Sequence, residues 1–180
     1  MTRVGGRLRD HWMPGDWFEC STDALSHYTA KATVCGDVAP RRVIEIGTRC
    51  GYSLMAFHVV APEARFFCID GRLDPDSKAC EQHWHVVVDA LGIDAQAVVV
   101  DSHDLRGLPP ADFAHVDGDH SYLGCLMDLY LVQHVPVILA DDCCNPDVGR
   151  AVEKFCRVTG RQATYFHDGL RRAAVIAGRS

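Results

Sequence analysis

The sequence predicts an α/β fold: a mostly parallel, seven-stranded sheet with helices on both faces and an antiparallel hairpin at its C-terminal end. Three observations carry this. Short apolar runs alternate with longer amphipathic stretches along the chain, the pattern of parallel strands joined by crossover helices. The strand-like runs end in polar residues, Glu45, Asp70, Asp101, Asp117, Asp141 and Asp142. The end of the chain breaks the alternation with two apolar runs around Asp168-Gly169, a hairpin signal.

The elements follow in order. Residues 1 to 40 form an N-terminal segment with Trp12, Trp17 and Phe18 and one expected helix near 22 to 35. The core, 41 to 180, opens with "RVIEIG" (42 to 47), a strand ending in glycine. "YSLMAFHVVA" (52 to 61) reads as a helix stopped by Pro62. "RFFCID" (65 to 70) is the second strand, and residues 76 to 92 carry helical spacing up to Gly92. "AVVVD" (97 to 101) and "ADFAHVD" (111 to 117) are the third and fourth strands. A helix (121 to 134), the strand "PVILADD" (136 to 142) and a helix (148 to 160) precede the hairpin. One domain spans 1 to 180, with no internal repeat and no low-complexity segment.

Composition narrows the function classes. The chain has 180 residues, 48% of them apolar, enough for a core without staples. Its net charge is -6 and its lysines and arginines are dispersed, which argues against a nucleic-acid partner. No apolar run is long enough to span a membrane, and the N-terminus lacks a signal-peptide core. A cytoplasmic location is expected. There are nine cysteines, an odd number, with no C-x-x-C pair, so reduced thiols are expected.

In open α/β sheets, ligands sit beyond the carboxyl ends of the strands. "EIGTRCGYS" follows the first strand there, with Gly47 and Gly51 in a G-x-x-x-G turn. Dinucleotide binders want G-x-G-x-x-G, but the middle position is Arg49, which disfavours an NAD-binding protein. Asp70, at the next strand end, stands where a ribose-binding carboxylate belongs.

"VIEIGTRCGYS" resembles the first motif of class I S-adenosylmethionine-dependent methyltransferases, especially the catechol O-methyltransferase-like enzymes. "VDGDHSY" followed by "ILADD" is similar to the small O-methyltransferases that act on sugars and antibiotic precursors. The match covers residues 42 to 155, and the hairpin suits that Rossmann-like fold. The resemblance implies roles. Glu45, Gly47, Thr48, Gly51, Tyr52 and Ser53 would hold the methionine part of S-adenosylmethionine. Asp70 would accept from the ribose hydroxyls, and Asp101, Ser102 and His103 would flank the adenine. Asp117 also borders the cofactor. Asp117, Asp141 and Asp142 match the metal ligands of the metal-dependent subgroup. His120 stands where the catechol enzymes carry a general-base lysine.

Chemistry fits these implied roles. Three carboxylates at neighbouring strand ends repel unless a cation joins them, and an all-oxygen set favours Mg²⁺ or another hard divalent ion. Such an ion acidifies an acceptor hydroxyl, and His120, with an ordinary pKa of about 6.5, takes its proton. Asp119 is expected as a helix cap or a solvated loop charge. The expected activity is metal-assisted O-methylation of a small hydroxylated metabolite. The alternatives are an antibiotic hydroxylase-associated protein on the same scaffold and a non-catalytic cofactor-binding partner. The family's insertion over the acceptor is missing between the last two strands. Its cover is expected from residues 1 to 20 or from a second subunit in a homodimer.

Overall fold

The computed structural model describes residues 3–13, 22–71, 77–167 and 171–178. Trp17, Phe18 and the hairpin tip at Asp168-Gly169 lie outside them. The elements run α1 (Arg3–Asp10), α2 (Thr22–Val38), β1 (Arg42–Ile46), α3 (Tyr52–Val60), β2 (Arg65–Asp70), α4 (Ser77–Leu91) and β3 (Ala95–Val99). A 3₁₀ turn (Ser102–Asp104), β4 (Phe113–Val116), α5 (Tyr122–Leu131), β5 (Val137–Ala140), α6 (Pro146–Thr159), β6 (Gln162–His167) and β7 (Arg172–Ala177) complete the chain.

The seven strands form one sheet in the order β3-β2-β1-β4-β5-β7-β6. The first five are parallel, while β7 pairs antiparallel with both β5 and β6. The predicted architecture is borne out, with one refinement. The second strand of the hairpin, not the first, pairs with β5, so Arg171 arrives beside the end of β5. The unpredicted α1 buries Val4 and Leu8 in the N-terminal layer.

Alternation along the strands separates two cores. Val43, Phe66, Phe113 and Leu139 pack with α1 to α4 on one face. Ile44, Ile46, Val116 and Ile138 pack with α5 and α6 on the other. Glu45, Cys68 and His115 are register partners across β2, β1 and β4, so they share the first face. These buried polar groups form a small layer inside an apolar one. The thiols are not all reduced as expected: Cys50, in the glycine turn, is disulfide-bonded to Cys80 on α4. The two lie 30 residues apart in sequence, which local spacing rules do not connect.

Candidate active site

A cavity of about 780 Å³ opens along the carboxyl ends of β1 to β5, within the usual range for small-molecule sites of about 300–1,000 Å³. Its first half is the glycine turn. Gly47 has φ 85°, and a Cβ there would sit 2.1 Å from the Asp117 carbonyl oxygen. Only glycine fits that close approach. The Gly47 and Thr48 amides donate to the Ile69 carbonyl at 2.9 and 3.3 Å, tying the turn to β2. Gly51, φ 82°, precedes α3 without a side-chain cap. The first amides of a helix without such a cap attract an anion, and Thr48, Tyr52 and Ser53 line the cavity there.

The buried Glu45 lies beneath this turn. The Thr48 hydroxyl donates to its Oε2 at 2.7 Å, and His115 Nδ1 lies 3.1 Å from its Oε1. Trp84 Nε1 donates to Thr48 Oγ1 at 3.1 Å. Glu45 therefore supports the turn from below and does not line the cavity. Asp70 does line it, and its Oδ2 accepts the Arg49 amide at 2.8 Å.

Farther along, Asp101, Ser102 and His103 form one wall. Asp101 Oδ1 accepts the His103 amide at 3.0 Å. The organising group is Asp128 on α5, fully buried, which takes the Ser102 hydroxyl at 2.6 Å and lies 3.5 Å from His103 Nε2. Burial pushes its carboxyl above the usual range. Sequence reading missed Asp128; its signal was a lone acid in the apolar run "CLMDLYL".

The second half collects the acidic residues. Asp117 ends β4, and Asp141 and Asp142 follow β5. The cap of α5 is Ser121, whose Oγ accepts the Gly124 amide at 3.1 Å, and not Asp119, whose Oδ1 accepts the Ser121 amide at 2.8 Å in the loop before the helix. His120 stands half-exposed with Nε2 3.3 Å from Asp117 Oδ1 and 3.6 Å from Asp142 Oδ2. The hydrogen bond to Asp117 raises its pKa above the ordinary value, against the opposing effect of burial.

The expected ion has competitors here. Lys31 on α2, 1% exposed, places its ammonium against Asp141 Oδ2 and 3.3 Å from Asp117 Oδ2. His27 Nε2 also lies 3.1 Å from Asp141 Oδ2. Arg171 Nη1 donates to both Asp142 oxygens at 2.8 and 2.7 Å. Burial alone would push Asp117 and Asp141 up. The Lys31 charge, together with His120 at Asp117 and His27 at Asp141, outweighs it, and both carboxyls are held below the usual range. Asp142 goes up instead, through burial and the two neighbouring carboxylates, which Arg171 only partly offsets.

Among the described residues, ligand atoms gather within 4.8 Å in two sets: His115, Asp117 and Asp141, and Asp117, His120 and Asp142. Neither set contains all three aspartates. The trio expected to share one ion is therefore brought to one end of the sheet but divided, with Lys31 on one side and Arg171 on the other. Asp141 Oδ1 and His115 Nε2 are buried without a hydrogen-bond partner among the described residues. Lys31, His27 and Arg171 were all missed from sequence. Their one signal was His27 and Lys31 at i and i+4, two basic residues on a helix face otherwise apolar through Ala24, Ala32 and Cys35.

A family model described as "Methyltransferase domain" matches residues 44–143. The chain belongs to that family. The matched span runs from β1 to the aspartates after β5, so it holds the glycine turn, Asp70, Asp117, Asp141 and Asp142. No curated protein sequence matches this methyltransferase-family chain. Among solved structures it is similar to the SAH-bound methyltransferase PaMTH1 of Podospora anserina, at 13% identity and a TM-score of 0.71, over 100% of this chain and 89% of that one. It also resembles TomG of Streptomyces achromogenes, an O-methyltransferase involved in tomaymycin synthesis and solved with SAM. There the identity is 14% and the TM-score 0.63, over 98% and 88% of the two chains. An O-methyltransferase of Bacillus cereus in complex with SAH gives 13% and 0.63, over 98% and 97%. At these identities the likeness establishes the class I methyltransferase fold.

Proposed function

We propose that this protein transfers the methyl group of S-adenosylmethionine to a hydroxyl of a small metabolite. The observation that carries the reading is the order of groups along one continuous cavity. The glycine turn, Asp70 and the Asp101–His103 wall lead directly to Asp117, His120, Asp142 and Arg171. The first three would hold the cofactor, and the last four would face the acceptor beside it. S-adenosylmethionine, when bound, supplies an electrophilic methyl carbon on a sulfonium.

The chain's own residues do the rest. The α3 amides and Ser53 receive the cofactor's carboxylate, and Asp70 accepts the ribose hydroxyls. Ser102 and His103, held by Asp128, flank the base. His120, in its neutral form, keeps the Nε2 hydrogen that it donates to Asp117 Oδ1, and its Nδ1 takes the proton of the acceptor hydroxyl. Because the hydrogen bond to Asp117 raises the His120 pKa, that form gains population at a higher pH than in an unperturbed histidine. Trp12 stacks on Tyr52 with ring centroids 4.0 Å apart, and the Met13 amide donates to the Tyr52 hydroxyl at 3.3 Å. This contact sets the end of the N-terminal segment beside the glycine turn, in the cofactor half.

The Mg²⁺ expected at the three aspartates is left out of this reading, because Lys31 and Arg171 already engage their oxygens. The test is incubation with S-adenosylmethionine labelled in the methyl group and a panel of catechols, sugars and hydroxylated aromatics. Label should appear in a base-stable ether. Label found only in methyl esters, or transfer that survives intact in His120→Gln, would refute the role given to the site.

A further inference from the structure

We propose that Lys31 replaces a divalent cation in the acceptor half of the site, so that this chain needs no metal. The inference rests on the reading of the site as a methyltransferase centre.

A buried ammonium is costly unless it is paired and hydrogen-bonded. Lys31 is fully paired. Its Nζ touches Asp141 on β5 and Asp117 on β4, and lies 5.3 Å from the centre of the Tyr28 ring, a cation–π distance. It thus bridges the two carboxylates that a metal would bridge. Mg²⁺ needs oxygens close around it at about 2.0–2.1 Å. It cannot use the Lys31-facing oxygens of Asp117 and Asp141 while the ammonium holds them, because the two cations would repel at contact distance.

The third aspartate is withdrawn in the same way. Asp142 has φ 50°, in the left-handed region, and both its oxygens meet Arg171. The set of Asp117, His120 and Asp142 is therefore no better. Any ion there would have ligands already bound to Lys31 and Arg171. The carboxylates also have partners without a metal: Lys31 at Asp117 and Asp141, Arg171 at Asp142, and the rings of His27 and His120 against Asp141 and Asp117. Lys31 does not line the cavity. It is a positioning residue, which keeps Asp117 ionised and so holds His120 in place. Arg171, on the cavity wall, supplies the positive charge that the acceptor oxygen meets.

The experiment is a Mn²⁺ titration, read by the electron spin resonance of the free ion, on full-length protein saturated with S-adenosylhomocysteine. The wild type should bind Mn²⁺ no tighter than about 1 mM. Lys31→Met and Lys31→Gln should each bind at least about tenfold more tightly, because Asp141 Oδ2 and Asp117 Oδ2 lose the ammonium and its repulsion of a second cation goes with it. Lys31→Arg should behave like the wild type. Micromolar Mn²⁺ binding to the wild type that Asp142→Asn weakens would overturn the proposal, and this arm decides the matter even if neither neutral variant folds. Folded neutral variants without a gain would overturn it too. The affinity for S-adenosylhomocysteine in the same samples reads the cofactor site alone. Its absence would sink the methyltransferase reading, whatever Mn²⁺ does.

Discussion

The two halves of the cavity are built differently. The cofactor half is made of backbone: a glycine turn pressed against the Asp117 carbonyl, amides tied to Ile69, and helix α3 beginning at Gly51. The acceptor half is made of charged side chains from α2, β4, β5 and the start of β7, each holding another. A backbone cradle fixes the part of a ligand that never changes. A side-chain cluster assembled from four distant segments can be altered one residue at a time, and this one has Lys31 between Asp117 and Asp141.

The sharpest way to separate the halves is to remove the buried cation. Lys31→Met strands the Asp117 and Asp141 carboxylates, and losing one partner of a buried pair costs about 3–5 kcal/mol. Urea unfolding should show that loss, with S-adenosylhomocysteine still binding the folded fraction near its wild-type affinity. Loss of cofactor binding in folded protein would mean the halves are not independent.

The reverse experiment breaks the cofactor half alone. Asp70→Asn removes charged acceptors, each worth about 1.5–3 kcal/mol, so cofactor affinity should fall by roughly 10- to 100-fold with little change in melting temperature. Unchanged affinity measured by calorimetry would move the ribose elsewhere. Asp128→Ala is milder and mixed. It leaves the Ser102 hydroxyl without its buried acceptor, at about 1–3 kcal/mol, and should weaken stability and cofactor affinity together. An effect on stability alone would make Asp128 a packing residue.

The smallest effect is the pH dependence of His120. Its folded pKa lies above its unfolded value, so it stabilises the fold fully below about pH 6.5. That contribution is lost as pH rises through the folded pKa. With the side chain 43% exposed, solvent screening holds it to about 1 kcal/mol or less. The stability difference between wild type and His120→Gln should be largest near pH 5 and shrink toward pH 9. A difference independent of pH would remove the ion pair from the account.

How much of this was legible follows from the same contrast. The five parallel strands, their helices and the hairpin were readable because each is a local pattern, and so was the glycine turn. "VDGDHSY" marked Asp117 and His120, and "ILADD" marked Asp141 and Asp142. Their partners were not legible. Lys31 meets Asp117 across 86 residues and Arg171 meets Asp142 across 29, and only the sheet order brings these segments together. The aspartates alone asked for a cation, and local spacing could not show that a lysine stands between two of them. The Cys50–Cys80 bond was hidden for the same reason.

The central claim, a methyltransferase cofactor on the glycine turn, is tested most directly by calorimetric titration of the full chain with S-adenosylhomocysteine, with NADH as the competing ligand. The account predicts one site per chain, with S-adenosylhomocysteine bound in the micromolar range or tighter, about −8 kcal/mol or more favourable, and undisturbed by NADH. Binding of NADH at that site, with no heat from S-adenosylhomocysteine, would contradict it.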